Sequence, residues 1–141
     1  MITDNYFEVK DQTLFPKRQT YGSACYDFYA PKDFIVPAHG ISECIDSGVS
    51  VHLNKGCAFM CYVRSSFGFK YNTTLINGTG IIDSDYYPDT IKCILKNDSN
   101  EDLFIHKGDR YMQGMFIIYG IAENDIPPEE KRNGGIGSTG K

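Results

Sequence analysis

The sequence predicts an all-β domain, a sandwich, jelly roll or barrel, with one short helix and a mobile C-terminal arm. Three observations predict it. Short apolar or alternating runs recur between turn residues. No stretch of about eleven residues or more carries helical periodicity. Residues 122–141 then change character, becoming acidic and proline-bearing and finally glycine-rich.

The strands are expected, in order, at residues 26–29, 34–36, 49–53, 57–63, 90–95 and 111–119. Val49-Ser50-Val51-His52-Leu53 alternates, so its odd positions should face the core. Pro31-Lys32-Asp33, Pro37-Ala38-His39-Gly40, Asn54-Lys55-Gly56, Asn97-Asp98-Ser99-Asn100 and His106-Lys107-Gly108-Asp109 are turn compositions. The one helix is expected over 65–70, with a serine capping its start. Residues 1–121 form the β domain and 122–141 the arm, because Gly134, Gly135, Gly137 and Gly140 have no side chain to anchor in a core.

Composition narrows the function. A chain of 141 residues fits one domain. With 41% hydrophobic and 13% aromatic residues it is not a disordered chain. No apolar run approaches the ~20 residues of a membrane span, and no basic-then-apolar leader of a secretory signal is seen. A net charge of −4 opposes binding to duplex nucleic acid. A single anionic nucleotide remains open, since a few placed cations suffice for it. The five cysteines (25, 44, 57, 61 and 93) are odd in number and lack C-x-x-C spacing, which suits reduced, mostly buried thiols in a cytoplasmic protein. His39, His52 and His106 are too scattered to suggest a metal cluster.

Four segments combine charge, glycine and hydroxyl groups. Arg64-Ser65-Ser66 sits where a strand meets a helix start, a place that suits anions; it also reads as a plain capped helix with a surface arginine. Asp83-Ser84-Asp85-Tyr86 ends an apolar run, where one carboxylate can serve as a general base; alone it reads more readily as a solvated hairpin turn. Gly108-Asp109-Arg110-Tyr111-Met112-Gln113 opens the last strand with charges that in isolation are turn charges. Gly134 to Gly140 can wrap phosphates with backbone N–H groups, though it has no Walker lysine spacing.

In order and spacing these segments resemble the five motifs of the trimeric dUTPases. Ser23-Ala24-Cys25-Tyr26-Asp27-Phe28-Tyr29-Ala30 resembles the first and Arg64-Ser65-Ser66-Phe67 the second. Residues 77–86 resemble the third, Gly108-Asp109-Arg110 with Gln113 the fourth, and residues 134–140 the fifth. The resemblance implies a distorted jelly roll (a β-clip barrel), hydrolysis of dUTP to dUMP and pyrophosphate, Mg2+ and a homotrimer. It implies that Asp83 orients the attacking water and that Tyr86 packs on the deoxyribose. Asn77, Ile81 and Ile82 would hold uracil, with Ile91 adding a backbone contact. Arg64, Ser65, Ser66 and Gln113 would hold phosphates, and Asp27 would hold magnesium through water. Asp85 and Arg110 would be structural. Lys131 or Arg132 would reach the γ-phosphate, and Ile136, Gly137, Ser138 and Thr139 would close over the nucleotide.

The chain departs from the pattern in places. Cys25 stands for glycine, Val63 for proline, Tyr87-Pro88-Asp89 follows the tyrosine, and Ile136 replaces a stacking phenylalanine. Two other functions compete. A dCTP deaminase of the same fold would need a glutamate on the strand at 90–95, which has none. A regulatory protein that senses dUTP would use the same pocket and offer a surface to a protein partner.

Overall fold

The computed structural model describes residues 4–129. Among these, the strands in chain order are β1 Tyr6–Val9, β2 Tyr26–Tyr29, β3 Phe34–Val36, β4 Gly40–Ile41, β5 Ile45–Asp46 and β6 Val49–His52. They continue with β7 Cys57–Tyr62, β8 Thr73–Leu75, β9 Gly80–Ile82, β10 Lys92–Cys93, β11 Leu95–Asn97, β12 Leu103–Ile105 and β13 Arg110–Ile118. One helix, α1 Ser65–Tyr71, interrupts them.

The largest sheet has the order β2-β13-β7-β9, and the other strands pair as β1-β6, β10-β5, β4-β11-β8 and β12-β3, all antiparallel. Neighbours in space are thus mostly distant in sequence, as in a jelly roll. The inner faces meet in one core containing Phe28, Val36, Ile45, Val49, Val51, Phe59, Leu95, Ile105 and Met112. Phe7 bridges the layers, meeting the rings of Phe28 and Phe59 edge-on.

Local chemistry explains most elements. Val49, Val51 and Leu53 turn inward as their alternation requires. Ser50 is buried as well, because the 86–90 segment covers the opposite face and the Ser50 hydroxyl donates to the Pro88 carbonyl at 2.7 Å. Gly114 on β13 permits close packing: a Cβ there would lie 2.3 Å from Phe59 Cε2.

Some expectations need correction. The strand expected over 90–95 divides at Ile94: β10 pairs with β5, and β11 with β4 and β8. The Ile94 carbonyl at the break accepts from the Ile76 N–H at 2.8 Å. No serine caps α1; Arg64 is the N-cap residue and makes no side-chain cap bond. At the other end Asn72 closes the helix in a left-handed conformation, φ 48°. Of the expected arm, residues 122–129 carry no strand or helix and are exposed. Lys131, Arg132, Ile136, Gly137, Ser138 and Thr139 lie outside the described residues.

Candidate active site

Among the described residues β9 is the edge strand of its sheet, with no strand on one of its sides. Beside it lies a cavity of about 310 Å³, at the lower end of the sizes common for small ligands. Asn77, Gly80, Ile81, Ile82, Asp83 and Tyr86 form one wall. Cys44, Lys92, Cys93 and Ile94 form the other. A tight turn sets the first wall: Gly78 takes φ 76° and its N–H donates to the Leu75 carbonyl at 2.8 Å. Asp83 heads the short 3-10 turn Ser84–Tyr86 in extended conformation, and its carboxylate is not used to cap that turn. The Tyr86 hydroxyl donates to the Thr90 carbonyl at 2.8 Å. Burial pushes the Tyr86 phenol above its ordinary pKa.

Ile91 is not in this cavity. It is 1% exposed, its N–H donates to the Val49 carbonyl at 2.8 Å, and its own carbonyl accepts from Ser47. The Val49 carbonyl takes the Ile91 N–H, and Lys92, Cys93 and Ile94 face the space instead.

The remaining candidates gather elsewhere. Gln113 on β13 lies opposite both Asp27 on β2 and Tyr62 on β7. Its amide donates to the Val63 carbonyl at 2.9 Å. Arg64 donates to the Arg110 carbonyl at 3.0 Å, and its guanidinium lies 5.3 Å from the Phe67 ring centre. Arg110 in turn approaches the Asp27 carboxylate at 3.6 Å. Arg110 is thus paired with the charge of another motif. Ser65 and Ser66 are exposed beside this group. Asp27, Arg64, Ser65, Ser66 and Gln113 thus lie at one end of the sheet, with Arg110 on the carboxylate and Arg64 and Gln113 tied to neighbouring carbonyls; the cationic and hydroxyl groups there suit an anion.

The two groups are far apart. Ile82 lies opposite Phe59, so Asp83 falls beside Ala58, whereas Arg64 follows the far end of the same strand, β7. At about 3.3 Å per residue these positions are about 20 Å apart. One chain therefore presents a cleft with a carboxylate and, at the other end of the sheet, a cationic and hydroxylic cluster.

Among the described residues no group of three or more His, Cys, Asp or Glu is arranged to hold a metal ion. A single carboxylate such as Asp27 still fits magnesium, which keeps most of its waters and takes substrate phosphates as ligands. The cysteines are all free: Cys57, Cys61 and Cys93 are buried, Cys25 is partly buried and Cys44 is exposed. Burial raises the Cys93 thiol to about 12. Sequence reasoning missed Cys44, Lys92 and Ile94 as cavity residues, since no motif marks them and only the β5–β10 pairing brings them there.

An all-β fold with an edge-strand cleft and a separate group of cationic and hydroxyl side chains suits a protein that takes a small anionic ligand. The comparisons make this specific. The dUTPase family model matches residues 11–140, and the chain belongs to that family. It is 38% identical over 131 residues to a deoxyuridine 5'-triphosphate nucleotidohydrolase of Lactococcus lactis, covering 89% of this chain and 87% of the relative. The dUTPase of Streptococcus mutans superposes with a TM-score of 0.74 at 30% identity, over 84% of this chain and 98% of that one. A dUTPase of Staphylococcus aureus phage phi11, whose structure concerns a structural Mg(II) ion, has a TM-score of 0.74 at 17% identity, over 91% and 98% of the two chains, and supports the fold alone.

Proposed function

We propose that this chain hydrolyses dUTP to dUMP and pyrophosphate by attack of water on the α-phosphorus, with Asp83 orienting and deprotonating that water. The observation that carries this reading is the position of Asp83 at one end of the β9 wall, in a chain that the dUTPase family model spans almost entirely. An exposed carboxylate at a cleft edge can act as a general base. Hydrolysis of this kind asks a protein mainly for positioning and charge stabilisation.

Each part of the nucleotide has a counterpart. Uracil presents carbonyl, N–H and carbonyl along one edge. The unpaired side of β9, with Asn77, Ile81 and Ile82, offers the alternating backbone groups that this pattern needs. Cytosine would set an amino group against a donor, and mismatches of that kind are rejected strongly. Tyr86 covers the deoxyribose and leaves no room for a 2′-hydroxyl. Arg64, Ser65, Ser66 and Gln113 receive the phosphates, and Lys131 or Arg132 reaches the γ-phosphate. Asp27 would hold Mg2+ through water, and the ion would supply positive charge against the pyrophosphate. Ile136, Gly137, Ser138 and Thr139, in the arm over 122–141, close over the phosphates and exclude water. Among residues 90–95 no glutamate is present for deamination.

The separation of about 20 Å between Asp83 and Arg64 supports a homotrimer. A phosphate cannot bond Arg64 at about 3 Å and also meet a water held by Asp83 of the same chain. Sites assembled between neighbouring copies remove the conflict. Five free cysteines suit a reducing, cytoplasmic setting. Among the described residues no helix is long and apolar enough to cross a membrane.

The test is pyrophosphate release from dUTP, dCTP, dTTP and UTP, with and without magnesium. dUTP should be preferred. Asp83→Asn should lower kcat by about 10²–10⁴ while nucleotide binding persists. Undiminished hydrolysis by that variant would refute the mechanism.

A further inference from the structure

Lys92 lines the cavity beside Tyr86, yet no motif includes it. It stands on β10 directly opposite Asp46 on β5, and its ammonium lies 3.9 Å from the Asp46 carboxylate. Both side chains are partly open to water, 34% and 56% exposed. An ion pair of that kind contributes little to stability. The geometry has a more specific consequence. Lys92 Nζ donates to the Thr90 carbonyl at 3.1 Å and to the Thr90 hydroxyl at 3.2 Å. That same carbonyl accepts the Tyr86 hydroxyl at 2.8 Å. The lysine and the tyrosine therefore converge on one oxygen.

The rest of the segment is fixed around this point. The Asp89 N–H donates to the Tyr86 carbonyl, Ser50 holds the Pro88 carbonyl, and Ile91 is tied to Val49. Asp46 is itself held by the Gly48 N–H at 3.0 Å. Among the described residues the Tyr86 hydroxyl is anchored on the Thr90 carbonyl and is also met by the Lys92 ammonium; Lys92 sets the direction of both, and Asp46 steadies it in turn.

We propose that Lys92 is a positioning residue: with Asp46 it orients the Thr90 carbonyl, which fixes the Tyr86 ring and thereby sets discrimination between deoxyribose and ribose triphosphates. The proposal rests on the assignment of Tyr86 to the sugar. It assigns to a charged strand residue a role in selectivity, exercised through a shared acceptor with no contact to the reacting atoms.

The experiment measures kcat/KM for dUTP and UTP in wild type, Lys92→Met, Lys92→Arg and Asp46→Asn, with folding checked by thermal melting. Lys92→Met should narrow the dUTP/UTP ratio about fivefold to tenfold, the scale of one lost ordinary hydrogen bond, through faster use or tighter binding of UTP. Lys92→Arg keeps a cationic donor and should restore most of the ratio. Asp46→Asn should move it in the same direction as Lys92→Met, by less, and it keeps the proposal testable if Lys92→Met fails to fold. A structural role alone would lower both substrates equally and leave the ratio unchanged; that result overturns the proposal. Failure of wild type to prefer dUTP over UTP would overturn the sugar assignment itself, which separates the two outcomes.

Discussion

Two inactive variants should restore activity when their chains are mixed, because Asp83 and Arg64 are about 20 Å apart along β7. Asp83→Asn removes the general base and leaves the phosphate cluster intact. Arg64→Ala does the reverse. Each pure protein should retain about 1% of wild-type turnover or less, since a lost base or a lost charged donor costs about 10²–10³ or more. If each site takes Asp83 from one copy and Arg64 from the next, both halves are intact in about one quarter of the sites of a randomly mixed ring. Equal amounts of the two chains, unfolded together and refolded, should therefore show about one quarter of wild-type pyrophosphate release. The magnitude does not depend on the number of subunits in the ring. Separately refolded chains, combined afterwards under conditions without exchange, provide the control. A mixture no more active than its better parent would refute the reasoning, since it places both groups in a site within one chain.

Other consequences are equally direct. Gly114→Ala places a Cβ 2.3 Å from Phe59 Cε2 and should destabilise the fold by about 1–3 kcal/mol, read from the urea midpoint. Tyr111→Phe should be neutral or stabilise by about 1 kcal/mol in the same assay, because the buried Tyr111 hydroxyl has no hydrogen-bond partner among the described residues. Burial alone would raise the Asp46 carboxyl. The Gly48 N–H, the Thr90 hydroxyl and Lys92 outweigh it and hold the group below its ordinary 3.8. A lowered native pKa means the contribution is complete above 3.8 and fades as pH falls through the native value. The stability gap between wild type and Asp46→Asn should thus shrink below about pH 4 in denaturant titrations. Exposed Cys44 should react first with a thiol reagent in the native protein, and dUTP should protect it because it lines the cavity. Equal labelling of Cys44 with and without dUTP would place the base elsewhere.

Much of this protein is legible in its sequence. Alternation at Val49-Ser50-Val51-His52-Leu53 states which side chains enter the core, because a strand's side-chain period is local. The ordered segments around Asp27, Arg64, Asp83 and Gln113 state the family, because their chemistry lies in residue type and spacing. What the sequence does not state depends on strand partners. The change of partner at Ile94 splits an apparently continuous run and turns Lys92 and Cys93 toward a cavity. The Val49 carbonyl takes the Ile91 N–H, although the residue stands near where the motif order expects a backbone contact to the base. The register of β9 on β7 separates Asp83 from Arg64 by the length of a strand, although both belong to one set of motifs. Such pairings join residues distant along the chain, and a hydrophobic pattern records only that a strand is buried, never which strand lies beside it.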